Sequence, residues 1–390
     1  MTPSWDKIRT RISSLKDLTA VGFANIAVNA ISALFWLYMA RLLDTEGYGE
    51  ISYLLSVAGL AGTITFLGAG NTLIVYRAKQ VKIQASIYSF VLISAVVTST
   101  TLFFILHNFG ASVYVIGYVF FGLAMSELLG TKLYRSYAKH MLSQRILLIV
   151  FALTLYYVIG LQGIVLGFGL SFFPYSILVY KGFKESKVDL SLIRIRFRFI
   201  INSYVLELTR SLNAYIDKLI IAPIFGFSLL ANYYLGVQVI SVLGLLPSIV
   251  FQYVLPREAS GQSNKKLKKV AILTSVLLAT LTIILSPILL PIFFPKFDEA
   301  VLIVQIMSLN VIPVSINLTY ISKFLASEKS KIVLIGSCVF LSVQIPAIFV
   351  LGHLYNINGV AIALVLSQAS ESIYLITSNK LLAKRKNTSP

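Results

Sequence analysis

The sequence predicts an all-α integral membrane protein with twelve transmembrane helices. Three observations lead to this prediction: the hydrophobic content, the length of the apolar runs and the placement of the basic residues. Of the 390 residues, 57% are hydrophobic, and the mean hydropathy is +0.84. A soluble core could not bury that much apolar surface. The apolar runs have lengths of about 18 to 25 residues, as a helix needs to cross a bilayer core of roughly 30 Å.

Twelve such runs follow one another along the chain, and the longest polar interruption separates six from six. Their predicted limits are 18–40, 51–74, 84–106, 112–130, 144–161, 163–180, 199–222, 228–254, 270–294, 300–325, 332–354 and 358–380. We therefore expect an N-terminal six-helix bundle over residues 1–180 and a basic cytoplasmic linker over 181–198. A C-terminal six-helix bundle with a short basic tail follows over 199–390.

Basic residues predict the orientation of these helices. If the N-terminus is cytoplasmic, all but four of the 33 Lys and Arg residues lie in segments on the cytoplasmic side. The exceptions are Arg41, Lys296, Arg210 and Lys218. The positive-inside rule therefore places both termini in the cytoplasm. It also explains the net charge of +18, which does not indicate a nucleic-acid partner because the charge is distributed over short loops.

The seventh predicted span carries polar side chains where an ordinary span is wholly apolar. Ser203, Glu207, Arg210, Asn213 and Asp217 follow one another at steps of three and four residues. Such steps bring side chains to one side of a helix. A charged group at mid-bilayer costs about 2.5 to 3.5 kcal/mol even on insertion scales. A polar cluster at this cost is typical of a transporter with a polar cavity.

Arg210 is the principal candidate for substrate binding. It lies roughly 18 Å along the helix from the cytoplasmic face and therefore near the bilayer midplane. Its planar guanidinium suits phosphate or carboxylate groups. The alternative is an internal ion pair with Glu207 that only holds helices together. Asn213 in the same span, Asn29 in the first span and Gln344 in the eleventh are further candidates for substrate binding.

Three carboxylates inside predicted spans are candidates for ion coupling. Glu371 lies near the middle of the twelfth span, and Glu207 and Asp217 lie in the seventh. A partly desolvated carboxylate can carry a coupling proton, and a sodium ion is the other choice left open. A purely structural partnership with Arg210 or a hydroxyl group would explain the same residues. We expect the neighbouring Lys218 to extend its ammonium group to the outer membrane surface.

Motifs for catalysis, nucleotide hydrolysis and metal binding are absent from the sequence. It contains no G-x-x-x-x-G-K-[ST] phosphate loop and no zinc-ligand spacing, and its three histidines lie near predicted membrane boundaries. No loop is long enough for a soluble catalytic domain. The sequence therefore predicts a protein that is not an enzyme and has neither a cofactor nor a bound metal. Its energy would come from an ion gradient, the substrate gradient or a partner.

Two local patterns predict structure at smaller scale. Gly163 and Gly167 form a small-xxx-small pair, which favours close helix packing. Residues 192–198 read LIRIRFR, an alternation that is more typical of a strand than of a helix. We interpret this basic segment as lying at an anionic lipid surface.

Four short motifs carry a resemblance to a known family. RLLDTEGYG at residues 41–49 directly follows the first span, and the second half contains YIDKLII from Tyr215, NYY from Asn232 and LPR from Leu255. In this order and spacing they resemble the polysaccharide-export branch of the multidrug/oligosaccharidyl-lipid/polysaccharide (MOP) flippase superfamily. The bacterial O-antigen (Wzx-type) flippases are most similar. The resemblance extends over nearly the whole chain, although Ala231 stands where the family often has glycine.

The resemblance implies a MATE-like, V-shaped protein of two bundles that works by alternating access in the bacterial inner (cytoplasmic) membrane. Its substrate would be an undecaprenyl-diphosphate-linked oligosaccharide, an O-antigen or similar repeat unit in lipopolysaccharide biosynthesis. Arg210 would hold the diphosphate or an acidic sugar during passage to the periplasmic leaflet. Contact with a polysaccharide polymerase and chain-length machinery is a further expectation from the resemblance.

Two other functions are weighed against this one. An ion-coupled multidrug or organic-cation exporter of the same superfamily would prefer an acidic cavity. A membrane enzyme, such as a polymerase or glycosyltransferase, usually has a large extracytoplasmic loop or a carboxylate pair at a membrane surface. The sequence has neither of these features, and we therefore reject the enzyme and keep the exporter as the alternative.

Overall fold

The computed structural model describes residues 5–259 and 265–388, and all regular structure in these two stretches is helical. The predicted all-α class is therefore confirmed. In chain order the helices are α1 (Trp5–Leu42), α2 (Thr45–Phe66), α3 (Ala69–Ala78), α4 (Gln84–Leu106), α5 (Phe109–Gly130), α6 (Tyr134–Ile159), α7 (Leu161–Leu170), α8 (Ser176–Lys184), α9 (Leu190–Phe225), α10 (Phe227–Leu243), α11 (Leu245–Ala259), α12 (Lys265–Phe293), α13 (Ala300–Ser308), α14 (Val311–Ala326) and α15 (Ser330–Thr388). A short 3-10 turn, Phe173–Tyr175, precedes α8.

Nine helical segments of the described chain are long and apolar enough to cross a membrane, and the pair α10 and α11, bent by 42°, makes a tenth. Two helices account for the difference from the twelve predicted spans. α9 carries more charge than an ordinary span tolerates. α15 contains two predicted spans, on either side of a break at Tyr355 and Asn356. Twelve spans with both termini cytoplasmic stay a prediction from the apolar runs and the charge pattern.

The helices group into two compact units. The first contains the chain up to Ile31 together with Leu54–Ser211, and the second contains Ser32–Tyr53 together with the chain from Leu212. The first helix of each predicted half, α1 and α9, therefore contributes to both units. The division into 1–180, 181–198 and 199–390 stays a prediction about the sequence halves.

The core of the first unit lies among α3, α4, α5 and α8. Leu73, Tyr88 and Leu123 are fully buried there. At one end of this core, Arg77 Nη2 lies 2.6 Å from Glu127 Oε1 and 3.1 Å from Glu185 Oε2. These ion pairs tie the ends of α3, α5 and α8 together.

Close packing of α6 against α7 confirms the prediction from the small residues. A Cβ atom at Gly163 would lie 2.2 Å from the carbonyl oxygen of Leu155, and one at Gly167 would lie 2.6 Å from the backbone nitrogen of Ala152. Real Cβ atoms do not approach backbone atoms so closely. A larger side chain at either glycine must therefore push the two helices apart.

We expect Gly167→Leu to destabilise the first unit by about 1 to 3 kcal/mol, because overpacking shifts the backbone of two tightly packed helices. Thermal unfolding of the purified protein in detergent measures the effect. Thr154→Leu is the matched control. It introduces the same leucine side chain on α6, at a position that is exposed and has room for it. Equal unfolding midpoints for the two variants would contradict the prediction.

The motif at residues 41–49 folds as the α1–α2 hairpin and packs within the second unit. Asp44 Oδ1 accepts a hydrogen bond from the Gly47 N–H at 3.1 Å and so caps α2. A Cβ atom at Gly49 would lie 1.9 Å from the carbonyl oxygen of Phe227. The motif therefore brings the start of α2 into direct backbone contact with the start of α10.

Aromatic side chains extend this contact. The Trp36 ring lies 5.1 Å from Tyr234, and the Tyr48 ring lies 5.5 Å from Tyr234 and 5.6 Å from Phe297. The pairs Trp36–Tyr234 and Tyr48–Phe297 are edge-to-face, and such pairs add to the energy of burial. The end of α1 and the start of α2 are therefore held firmly in the second unit.

Candidate functional site

The helix that carries Arg210 starts earlier than the sequence predicted. α9 begins at Leu190, nine residues before the predicted span at 199. The strand-like reading of residues 192–198 is therefore wrong. A lone strand leaves its backbone donors and acceptors unpaired at a lipid surface, whereas a helix satisfies them within itself.

Asp189 defines the start of α9. Its Oδ1 accepts hydrogen bonds from the backbone N–H of Ser191 at 2.9 Å and from the Ser191 hydroxyl at 2.6 Å. This is the geometry of an N-cap residue. The hydrogen bonds from Ser191 also lower the pKa of the exposed Asp189 carboxyl below its ordinary value. A local Asp-x-Ser pattern was thus the sequence signal for the helix start.

One side of α9 packs against the first unit. The Arg196 guanidinium lies 4.8 Å from the centre of the Tyr76 ring, and the Phe199 ring lies 5.4 Å from the same ring. Farther along, the Ser211 and Thr63 hydroxyls are 2.8 Å apart and buried. These contacts determine which side of α9 is buried and which side stays exposed.

The Glu207 carboxylate hydrogen-bonds to α3 and forms no salt bridge with Arg210. Its Oε1 accepts a hydrogen bond from the Asn71 N–H at 3.1 Å. α3 follows a break at Gly68, which has φ 73°, and it has no side-chain cap from its own segment. A carboxylate at a helix N-terminus is favourable because it meets unpaired N–H groups and the positive end of the helix dipole. Glu207 therefore caps α3 from another helix.

Arg210 is exposed, although it lies in the middle of a long apolar helix. Asn213, one turn farther along α9, is half-buried, and its Oδ1 has no hydrogen-bond partner among the described residues. Asn29, on α1, is exposed and belongs to the first unit, as Arg210 does. A guanidinium within an apolar span needs water or a polar ligand around it. The Arg210 side chain can therefore bind an anionic group, and the roles of Asn29 and Asn213 in substrate binding stay predictions.

Asp217 and Lys218 form a buried ion pair in the second unit. The Lys218 ammonium donates to Asp217 Oδ1 at 2.9 Å and to the Ala214 carbonyl oxygen at 2.7 Å. The Tyr233 hydroxyl donates to Asp217 Oδ2 at 2.8 Å. The expectation that Lys218 extends to the membrane surface is wrong, because its ammonium finds two acceptors within one turn. Tyr233, which comes from α10, was not among the predicted site residues.

Glu371 lies in a polar cluster inside the second unit and is 6% exposed. Its Oε2 accepts hydrogen bonds from the Asn317 and Gln368 side-chain amides, both at 3.1 Å. The Ser372 hydroxyl donates to Asn317 Oδ1 at 2.6 Å. A Cβ atom at Gly336 would lie 3.4 Å from Oε1. The second carboxylate oxygen therefore faces the small surface of a glycine rather than a donor.

Asn317 and Ser372 were missed by sequence reasoning. Ser372 is adjacent to Glu371, and Gln368 lies three residues before it, so a polar patch on the last span was readable. Asn317 lies on α14, and only tertiary packing brings it there. Among the described residues, no group of three His, Cys, Asp or Glu side chains could hold a metal ion.

Gln344 lies on α15 in the second unit and is 1% exposed. Neither its amide oxygen nor its amide nitrogen has a hydrogen-bond partner in the described part of the chain. A buried amide without partners is costly, and ordered water commonly satisfies such groups. Its role in substrate binding stays a prediction.

Comparison with known proteins gives structural likeness without sequence likeness. No protein-family model and no curated protein sequence matches this chain. An inward-facing multidrug resistance MATE transporter of the MOP superfamily superposes with a TM-score of 0.70 at 14% identity, covering 94% of this chain and 96% of the other. The lipid II flippase MurJ, in an inward closed conformation, gives 0.76 at 14% identity, covering 92% and 87%.

The fold is that of the MOP superfamily transporters. A third MOP superfamily transporter, from Pyrococcus furiosus, gives a TM-score of 0.62 at 12% identity, covering 96% of this chain and 97% of the other. Reverse polarity of its binding pocket is reported to suggest a different function for that protein. These neighbours are transporters and flippases, not enzymes. The likeness shows that this chain shares their fold, and membership in the MOP superfamily and in its O-antigen branch stays an inference from the motifs.

Proposed function

We propose that the protein is a flippase for an undecaprenyl-diphosphate-linked oligosaccharide, an O-antigen or similar surface polysaccharide repeat unit. It moves this substrate across the bacterial inner membrane by alternating access. The observation that carries the proposal is the exposed guanidinium of Arg210 in the middle of α9. The MOP fold, which the lipid II flippase MurJ shares, is consistent with it.

The chemistry of the substrate fits the exposed residues. A diphosphate presents several anionic oxygens, and the arginine fork binds such oxygens with two parallel hydrogen bonds. Asn29, which is also exposed in the first unit, offers an amide group that suits sugar hydroxyls. The polar groups that α9 leaves exposed are therefore cationic or neutral, as an anionic glycolipid requires.

The alternative function, an ion-coupled exporter of organic cations, draws support from the MATE transporter with the same fold. Such a protein needs free carboxylates facing its substrate. Here the Asp217 carboxylate is neutralised by Lys218, and Glu207 is used as a helix cap. This arrangement favours an anionic substrate over a cationic one.

Flipping in proteoliposomes tests the proposal. The substrate is a fluorescent undecaprenyl-diphosphate oligosaccharide, and a membrane-impermeant reductant bleaches only the outer leaflet. We expect bleaching beyond the outer-leaflet fraction with the protein and none beyond it in empty vesicles. Accumulation of an organic cation such as ethidium, with no flipping of the glycolipid, would contradict the flippase and support the exporter.

Glu371 is the group that we propose for ion coupling, with a proton or a sodium ion as the coupling ion. Of the three candidate carboxylates, it is the one that neither pairs with a cation nor caps a helix: Asp217 pairs with Lys218 and Glu207 caps α3, whereas Glu371 accepts from the amides of Asn317 and Gln368. A contact with polysaccharide polymerase and chain-length machinery remains part of the proposal.

Glu371→Gln is expected to retain the fold and lose the response of the flipping rate to an imposed proton or sodium gradient. The amide keeps the shape of the side chain but can neither take up a proton nor balance a cation. The measurement is the flipping rate with and without each gradient. Glu299→Gln, an exposed carboxylate change, is the control. A Glu371→Gln variant that still responds to the gradient removes Glu371 from coupling.

A further inference from the structure

α9 places a hydrogen-bond donor at every fourth residue from its cytoplasmic start to its middle. Arg194, Arg198, Asn202 and Arg210 occupy this series, and Leu206 is the one apolar member. All four polar side chains are exposed. Each step of four residues rises about 6 Å and turns by about 40°. The four side chains therefore form a row roughly 24 Å long that winds by about 160° around the helix and is interrupted at Leu206.

Packing does not explain the first three members of this row. Arg196, in the same turn, is used structurally: it lies over the Tyr76 ring and donates to the Leu192 carbonyl oxygen at 3.0 Å. In the described chain, the side chains of Arg194, Arg198 and Asn202 make no hydrogen bond and no ion pair. Two arginines that are one turn apart with no acidic partner repel each other. An anion between them removes this repulsion.

The row is held at a fixed position on the first unit. Just before α9, the Asp189 N–H donates to Ser86 Oγ at 2.8 Å, and Ser86 Oγ donates to the Asp189 carbonyl oxygen at 2.9 Å. The Ala85 N–H donates to Ser186 Oγ at 3.2 Å. These bonds fasten the linker to the start of α4. The arginines are therefore presented by a rigid support, which lowers the entropy cost of binding a ligand.

Apolar side chains lie beside the arginines on the open part of the helix. Ile195 is 76% exposed, Phe197 is 58% exposed and Ile201 is 42% exposed. A soluble anion gains no binding free energy from these apolar side chains. A lipid that carries its phosphate next to an acyl or prenyl chain can contact the arginines and the apolar side chains at the same time.

We propose that this row of side chains binds the substrate as it enters the flippase from the cytoplasmic leaflet, and we call the row the loading track. Arg194 and Arg198 bind the diphosphate of the lipid-linked substrate at the cytoplasmic leaflet, and Asn202 passes it towards Arg210. Arg194, Arg198 and Asn202 follow at steps of one helical turn, so the diphosphate can contact the next donor before it leaves the last, and a longer step of about 12 Å leads from Asn202 to Arg210. The prenyl chain stays against Ile195 and Ile201. This inference rests on the proposed function and adds the route by which its substrate enters.

Binding of undecaprenyl diphosphate to the protein in phosphatidylcholine nanodiscs tests the track. In the double variant Arg194→Gln/Arg198→Gln we expect affinity to fall roughly tenfold or more, because each arginine contributes charge-assisted hydrogen bonds. The flipping rate should fall at low substrate concentration and remain unchanged at saturation, because Arg210 is intact. Arg194→Lys/Arg198→Lys keeps the charges and is expected to retain most of the affinity.

Lys82→Gln/Lys331→Gln is the matched control, since it removes the same charge from two exposed positions elsewhere, in the loop before α4 and in the first turn of α15. It should bind undecaprenyl diphosphate as the wild type does. Equal loss of affinity in both double variants would overturn the track in favour of general surface charge. A glutamine variant that loses only its preference for phosphatidylglycerol-containing discs would show an ordinary anionic-lipid contact and also overturn it.

The outcomes separate this inference from the proposed function. Wild-type affinity in Arg194→Gln/Arg198→Gln, with loss of binding in Arg210→Ala, contradicts the track and leaves the flippase standing. No binding of undecaprenyl diphosphate by the wild type contradicts both. Thermal unfolding of each variant establishes that the changes, all at exposed side chains, leave the fold intact.

Discussion

Arg210→Ala is expected to lower flipping of the undecaprenyl-diphosphate glycolipid roughly 10- to 100-fold, the size of one or two lost charge-assisted hydrogen bonds in a desolvated site. Arg210→Lys should retain part of the activity, since it keeps the charge but loses the planar fork. The proteoliposome flipping assay measures both variants.

Stability separates a binding role of Arg210 from a structural one. The side chain is exposed and makes no ion pair with Glu207, whose carboxylate is directed to Asn71. Its loss should therefore change the free energy of unfolding by no more than about 0.5 kcal/mol. Thr209→Ala, an uncharged change in the same turn, is the control for flipping. Full activity of Arg210→Ala would remove this residue from the site.

Asp217→Ala is expected to destabilise the second unit by about 3 to 5 kcal/mol, the cost of leaving one partner of a buried ion pair alone. The Lys218 ammonium would keep the Ala214 carbonyl oxygen but lose its only carboxylate among the described residues. The Tyr233 hydroxyl would lose its acceptor as well. Chemical unfolding of the purified protein in detergent measures the change.

A second variant tests whether the unpaired buried charge of Lys218 causes the loss of stability. Asp217→Leu combined with Lys218→Met removes both charges and should recover most of the lost stability, because two apolar groups leave no buried charge uncompensated. If Asp217→Ala unfolds like the wild type, the ion pair has no structural role. Asp217 would then return to the candidates for ion coupling on equal terms with Glu371.

The structure divides the polar stripe of the seventh span into three parts with different roles. The sequence grouped Glu207, Arg210 and Asp217 because helical spacing brings them to one side. Only Arg210 remains open in the structure, because Asn71 and Tyr233 engage the other two. Those partners are distant in the sequence or on another helix, so no spacing rule within α9 could reveal them.

Two predictions made from short stretches of sequence were wrong because of hydrogen bonds with residues close by in the sequence. The alternation at 192–198 suggested a strand, yet Asp189 and Ser191 form a helix cap directly before it. Lys218 looked free to reach the surface, yet Asp217 and the Ala214 carbonyl oxygen lie within one turn of it. In both cases the competing hydrogen bonds were encoded within four residues. Weighing capping and short-range acceptors above periodicity would have found them.

The sequence by itself determined the all-α class, because apolar run length depends on composition alone. It also predicted a transporter and singled out Arg210, because a charge at mid-bilayer is costly. Tertiary structure alone decided which polar groups are free. Whether a carboxylate caps a helix, pairs with a lysine or keeps an open oxygen depends on what another helix places within about 3 Å of it. That is a matter of packing, which no single segment of the chain contains.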